Sequence, residues 1–301
     1  TASWSRPSPS SAGRSGPPPR CCSGGRGSAI RAPRADARIF QIGSDPLFAR
    51  YPVRSFRAEA AMVAETAAAL RALATAMERS AARREGAIAA RVAAMAARHE
   101  AMRAAARSAA EAGGARAPMT QAFASLVLSR LLPDEAIVVN EYPLVRPAME
   151  LRRPGSFLGS SPVGSLGWGL PAALGVQMAA PDRPVVAALG DGSYVFANPV
   201  ACHQLAAAEA LPVLTLVFDN AGYGAVRRAT TAMYPQGDAV ASGRIPLSEF
   251  HPAPDYVRIV ESCGGWGARV EHPEALASAL EAAFRVVREE KRQALVSIAC
   301  A

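Results

Sequence analysis

Two short polar clusters interrupt apolar stretches of this 301-residue chain: Gly190-Asp191-Gly192 and Asp219-Asn220-Ala221-Gly222-Tyr223-Gly224. Each follows a strand-like run, at 185–189 and 213–218. Glycines at 190 and 192 let the backbone turn sharply and come close to a ligand, with N–H groups able to face an anion. A carboxylate in the same place repels that anion unless a cation bridges them. Asp191 therefore implies a hard divalent cation, and Mg2+ against a diphosphate is the natural case. The Asn220 side chain offers a second hard oxygen. Gly222 lets a backbone carbonyl turn inward as a third ligand.

The surrounding elements explain how such groups could meet. Strands are predicted at 136–140, 185–189, 213–218, 268–270 and 294–299. Helices are predicted at 120–132, 199–210, 255–263 and 273–288, with a turn and helix in 164–178. This alternation predicts an α/β fold with a doubly wound, mainly parallel sheet. Ligands of such sheets bind outside the carboxyl ends of the strands, where both clusters fall. Upstream, 37–43 reads as a strand ending in a turn. Residues 58–112 are rich in Ala, Arg, Glu and Met, a helical composition. No Leu/Ile heptad is sustained there, so two or three linker helices are expected and not a coiled coil.

The net charge of +8 is concentrated at one end. Arg6, Arg14, Arg20, Arg26, Arg31 and Arg34 are accompanied by no acid, so residues 1–34 carry most of it. This arm is rich in Pro, Gly and Ser and has no helical period, which predicts a disordered basic tail. Only Trp4 interleaves an aromatic ring, so neither a nucleic acid nor a membrane is expected as partner. No apolar run reaches the roughly 18–20 residues of a membrane span. No apolar h-region follows the N-terminus, so no secretory signal is expected. The five cysteines form no CxxC pair, and free thiols in a reducing cytoplasm are expected. Cys202 and His203 are adjacent and face different ways, against a catalytic pair or a zinc site. His203 and His251 are expected to be solvated or capping residues, and Trp168 to pack at a helix start.

The spacing of GDG, a helix, a strand and then Asp219-Asn220 resembles the thiamine diphosphate (ThDP) motif of the acetolactate synthase and benzoylformate decarboxylase family. Gly164-Ser-Leu-Gly-Trp-Gly-Leu-Pro-Ala-Ala-Leu-Gly175 is similar to that family's glycine-rich turn and helix. Ala225-Val-Arg-Arg, Met233-Tyr-Pro and the stretch from Asp255-Tyr-Val to Gly264-Gly-Trp-Gly-Ala-Arg-Val agree further. The resemblance implies that Asp191, Asn220 and the Gly222 carbonyl bind Mg2+. It places Gly190, Gly192 and Ser193 at the diphosphate, with Tyr223 beside it. Leu166 becomes the apolar wedge under the bent cofactor, and the Gly164 carbonyl accepts a hydrogen bond from the aminopyrimidine. The domain reading that follows is a tail at 1–35, a remnant of the central domain at 36–57, a helical linker at 58–116 and a ThDP diphosphate-binding domain at 117–301.

The chain departs from the family pattern in three ways. Asp219 stands where the first Asn of the pair is expected. Tyr142 and Pro143 stand where small hydroxyl donors are expected, and Glu141 is read as a possible cap of a nearby backbone turn. The pyrimidine-binding domain, with its activating glutamate, is absent from this sequence, so no residue here is assigned as catalytic. The expected function is the diphosphate-binding part of a 2-keto-acid decarboxylase or carboligase, a lyase or transferase. Its substrate is a 2-keto acid, its pyrimidine-binding domain comes from another chain, and it is a homo- or hetero-oligomer. The alternatives are a non-catalytic ThDP-binding module and a structural remnant.

Overall fold

The computed structural model describes residues 36–46, 58–81, 85–159 and 164–300. The expected tail at 1–35 and residues 47–57 of the 36–57 segment lie outside the described residues. The chain divides between Ala72 and Leu73 into two compact units. In the first, β1 (Phe40–Gly43) pairs in parallel with β2 (Ala60–Val63), with Phe40 opposite Ala60. Arg38 closes this pair with a two-point contact to Glu59, Nε to Oε2 at 2.8 Å and Nη2 to Oε1 at 2.6 Å. Helix was expected from residue 58, but 60–63 is strand. Ladder pairing with β1 overrides the helical preference of the alanines. Helix α1 (Thr66–Ala81) follows and contains the division at Ala72–Leu73.

The second unit carries α2 (Glu85–Ala112) and α3 (Gln121–Leu131), the latter capped by the Thr120 hydroxyl accepting from the Phe123 N–H. Strands β3 (Ile137–Glu141), β4 (Phe157–Gly159) and β5 (Val185–Gly190) come next, with α4 (Gly169–Ala179) between the last two. Helices α5 (Asp191–Phe196) and α6 (Pro199–Ala208) lead to β6 (Val213–Asp219). Helices α7 (Gly224–Met233), α8 (Asp238–Ala241) and α9 (Tyr256–Ser262) precede β7 (Trp266–Val270). Helix α10 (Leu276–Arg288) and β8 (Ala294–Ala299) complete the chain. The six strands run in the order β4-β3-β5-β6-β8-β7, and every pairing is parallel.

Strand alternation sorts the core into two layers. Val138, Val186, Ala188, Leu214, Leu216 and Val296 face α3 and α10. Ile137, Val139, Val185, Ala187, Leu189 and Val217 face α4, α6 and α9. This is the doubly wound α/β sheet that the sequence predicts. The chain steps from β3 outward to β4, then returns to lay β5 on the other side of β3. The carboxyl ends of β3 and β5 therefore flank a switch point, where a crevice forms. Glu141 closes one of these strands and Asp191 follows the other. Among the described residues, no helix is long and apolar enough to cross a membrane.

Candidate functional site

Asp191 opens α5 directly from the end of β5, and its side chain is 1% exposed. Oδ1 accepts from its neighbour Gly192 N–H at 2.8 Å. Oδ2 accepts from Gly222 N–H at 2.7 Å and Asn220 N–H at 3.2 Å. One carboxylate thus ties the β5 turn to the loop after β6, 29 and 31 residues on. The parallel register of Gly190 opposite Phe218 puts the two ends side by side. Burial pushes the Asp191 carboxyl up to about 6; the three N–H groups pull it back, and the nearby Asp219 charge adds to the rise.

Asn220 Oδ1 is buried and has no hydrogen-bond partner. Buried acceptors are rarely left this way, because the desolvation penalty goes unrecovered. Here the orphan oxygen belongs to the residue whose own N–H is held by Asp191. One carboxylate, one amide oxygen and backbone carbonyls make an all-oxygen donor set, which suits a hard cation such as Mg2+ and not a softer metal. Among the described residues, no cluster of three or more His, Cys, Asp or Glu could hold a metal instead.

The loop is built for close approach. Gly222 has φ +151, and a Cβ there would collide with the Ser248 carbonyl oxygen. Its own carbonyl accepts from Gly224 N–H at 2.9 Å and keeps a second lone pair. A Cβ on Gly192 would run into the Tyr223 ring, so that ring lies on the glycine turn. Tyr223 is in turn held edge-on by Phe250, with centroids 5.0 Å apart. Ser193 follows Gly192 in α5 and is buried. Asp219 Oδ1 accepts from Ala221 N–H at 3.0 Å, an Asx turn that shapes the loop.

The second glycine-rich stretch lies across the switch point. Glu141 is fully buried and receives Gly167 N–H on Oε1 at 2.7 Å and Gly169 N–H on Oε2 at 2.6 Å. It is therefore the cap of the turn that starts α4. Gly167, at φ +84, packs against the end of α5. Leu166 is half-buried and belongs to neither core layer. Gly164 is exposed at φ +69, and its carbonyl oxygen lies 3.5 Å from the Tyr142 hydroxyl. Trp168 packs on the α4 layer, as expected, with its Nε1 buried and unpartnered.

Two features differ from the sequence reading, one absent from it and one misplaced by it. Ser248–Phe250 brace the 219–224 loop through Tyr223 N–H to Ser248 O and Phe250 N–H to Ala221 O, both at 2.9 Å. They come from an irregular segment with no periodic signal. The other is His203, expected to be solvated or capping but only 2% exposed. Gln293 Nε2 donates to the carbonyls of His203 and Cys263, at 3.0 and 3.1 Å, so its Oε1 is the acceptor facing His203 Nδ1 at 2.7 Å. The imidazole therefore carries its proton on Nδ1, and Nε2 accepts from the Tyr194 hydroxyl at 2.8 Å. Tyr194 sits in α5, three residues after Asp191. Cys202 and His203 make no pair with each other, as expected.

Residues 143–298 match the family of the thiamine pyrophosphate enzyme, C-terminal TPP binding domain. The chain is similar to the acetolactate synthase isozyme 3 large subunit of Escherichia coli, 36% identical over 141 residues, covering 46% of this chain and 23% of that protein. It is also similar to the putative acetolactate synthase large subunit IlvX of Mycobacterium tuberculosis, 33% identical over 169 residues, covering 55% of this chain and 32% of that protein. The chain thus spans about a quarter to a third of the length of these curated relatives. A solved structure, the Rhodococcus jostii RHA1 thiamine diphosphate-dependent 4-hydroxybenzoylformate decarboxylase, superimposes with a TM-score of 0.50 at 27% identity. That match covers 60% of this chain and 32% of the decarboxylase.

Proposed function

Because the chain belongs to the thiamine pyrophosphate enzymes through their C-terminal TPP-binding domain, we propose that it holds thiamine diphosphate through Mg2+ as the diphosphate-binding part of a 2-keto-acid decarboxylase or carboligase. The observation that carries this reading is the buried, unpartnered Asn220 Oδ1 beside the Asp191 carboxylate. A cation there gains the Asp191 carboxylate and an amide oxygen to which no described residue donates. Asp191, Asn220 and the Gly222 carbonyl hold the metal. Gly190, Gly192 and Ser193 shape the bed for the diphosphate, with the Tyr223 ring as one wall. Leu166 stands outside the core, free to support the cofactor from below, and Gly164 offers its carbonyl at the edge. The functional unit in this reading is 117–301.

When bound, thiamine diphosphate supplies the electron sink for cleaving or forming a bond next to a keto carbon. This chain's residues bind and orient it; the activating glutamate and much of the substrate pocket come from a pyrimidine-binding domain on another chain. The free thiols of Cys202, Cys263 and Cys300 suit a reducing, cytoplasmic setting.

Calorimetric titration of the full chain with thiamine diphosphate tests the reading. Binding is expected with Mg2+ and is expected to vanish with EDTA. Binding indifferent to EDTA would remove the cation assignment. No binding even with a pyrimidine-binding domain supplied would overturn the function.

A further inference from the structure

Asn220 carries the amide oxygen assigned above to the metal, and two groups outside the residue fix where that oxygen can stand. Its N–H donates to Asp191 Oδ2 at 3.2 Å, and its carbonyl accepts from Arg227 Nη2 at 3.1 Å. Peptide units are planar, so each residue has only two soft backbone torsions. The first bond orients the peptide plane before Asn220, and the second orients the plane after it. With both planes pinned, the Cα–Cβ direction is set, and with it the reach of Oδ1.

Arg227 reaches back to this carbonyl from the first turn of α7, its own N–H donating to the Tyr223 carbonyl at 3.1 Å. Its Nη1 lies 3.9 Å from Glu249 Oε1, and Glu249 forms an antiparallel backbone bridge with Gly222. One guanidinium therefore spans the carbonyl of Asn220 and the segment paired with Gly222. Between those two residues stands Ala221 at φ +57, a left-handed conformation unfavourable to an L side chain. Such backbone persists only where its surroundings over-determine it. The next residue, Arg228, brings a second guanidinium to the same place: a Cβ on Gly224 would meet both the Asn220 amide and Arg228 Nη1. Among the described residues no hydrogen bond ties Arg228 to the loop. The two arginines thus offer the loop the same charge, and only one of them bonds to it.

We infer, building on the thiamine diphosphate–Mg2+ reading, that Arg227 is a positioning residue for the metal. It holds the 220–222 loop in the shape that presents Asn220 Oδ1 and the Gly222 carbonyl to the cation. The sign of the effect separates positioning from simple repulsion. A guanidinium that acts only as a charge repels a nearby cation, so its removal tightens Mg2+ binding. A guanidinium that positions a ligand weakens Mg2+ binding when it is removed.

Thiamine diphosphate binding to the full chain, followed by calorimetry across a Mg2+ series, tests this. Arg227→Met is expected to raise the Mg2+ concentration at half-saturation by at least about fivefold, and Arg228→Met to leave it unchanged or lower it. Arg227→Lys, which can donate to the Asn220 carbonyl alone, is expected to fall between wild type and Arg227→Met. At saturating Mg2+ the cofactor affinity of Arg227→Met should return to within about twofold of wild type. Its urea midpoint without ligand should stay within about 0.3 M, because an exposed ion pair contributes little. In the unliganded chain, amide exchange at Asn220 and Gly222 should quicken by at least about tenfold in Arg227→Met and not in Arg228→Met. An unchanged or lowered Mg2+ midpoint in Arg227→Met, equal rises in the two methionine variants, or unchanged amide exchange would overturn the inference. So would an affinity loss that saturating Mg2+ does not restore, or a urea midpoint that falls beyond that margin, since either makes Arg227 general scaffold. Wild-type binding that does not respond to Mg2+ would remove the thiamine diphosphate–Mg2+ reading itself, and the role of Arg227 with it.

Discussion

Glu141 and Asp191 are buried carboxylates at the ends of neighbouring strands, and they behave differently. Glu141 accepts two short backbone hydrogen bonds, from Gly167 and Gly169, and pins one glycine-rich turn to the sheet. Asp191 accepts three, one of them long at 3.2 Å, and joins two loops. Beside Asp191 lies an orphan amide oxygen, and burial with the Asp219 charge pushes its carboxyl up to about 6. No orphan acceptor accompanies Glu141. A carboxylate that serves as scaffold finds its donors within the chain. In the function proposed above Asp191 serves a ligand, and the oxygens of Asp191, Asp219 and Asn220 repel one another until a cation arrives.

The sharpest break of that comparison is Glu141→Leu, which leaves two buried N–H groups without an acceptor. A stability loss of about 4 kcal/mol is expected from urea unfolding. Glu141→Gln retains one acceptor and should lose roughly half as much. A loss below about 1 kcal/mol in the leucine variant would show the carboxylate to be dispensable as scaffold.

Asn220→Ala tests the opposite side. It should lower Mg2+-dependent thiamine diphosphate affinity at least tenfold, about 1.5 kcal/mol, while stability moves by no more than about 0.5 kcal/mol. Unchanged affinity would sink the metal assignment. A large stability loss would make Asn220 scaffold like Glu141.

His203 sharpens the contrast with a buried group kept neutral. Burial holds its pKa below the ordinary histidine value, and the Gln293 hydrogen bond partly offsets this. The unfolded chain therefore binds the extra proton first. The contribution to stability is fully present above about pH 6.5, the unfolded value, and is lost as pH falls toward the folded value. Urea midpoints of the wild type should fall from pH 7 to pH 5 by more than those of His203→Gln. Equal slopes would mean that His203 does not titrate against folding.

The smallest effect is expected at Tyr256, whose buried hydroxyl has no partner and whose ring stands edge-on to Tyr194 at 5.5 Å. Tyr256→Phe should leave cofactor affinity unchanged and gain up to about 1 kcal/mol of stability. A fall in affinity, read in the same calorimetric titration, would mean that the hydroxyl serves the bound state.

Much of the fold was legible because a parallel sheet buried on both faces needs continuous apolar strands. β3, β5, β6 and β8 are written that way, and their interleaving with helices implies the winding. β2 was not legible, since its alanines favour helix until β1 supplies a ladder. Nor was β4, whose three residues are too few for a period. Helix α5 was hidden for another reason: glycines at its entry look like a turn. The meeting of Asp191 with Asn220 and Gly222, which the structure shows, was suggested by residue type and order. The brace from Ser248–Phe250 was not, because it consists of backbone hydrogen bonds that any sequence can offer.

The amino-acid order by itself determined which atoms could meet a cation or an anion: a carboxylate between glycines, an amide, and a glycine at which a side chain would collide. It also placed them at strand ends, through apolar runs whose burial is the main driving force of folding. Only the tertiary structure decided which of those polar atoms find partners. Satisfaction of a hydrogen bond depends on geometry within a few tenths of an ångström between groups far apart in the chain. Glu141 meets Gly169 28 residues on, and His203 meets Gln293 90 residues on. No local pattern encodes such meetings, and so none reveals that Asn220 is left waiting.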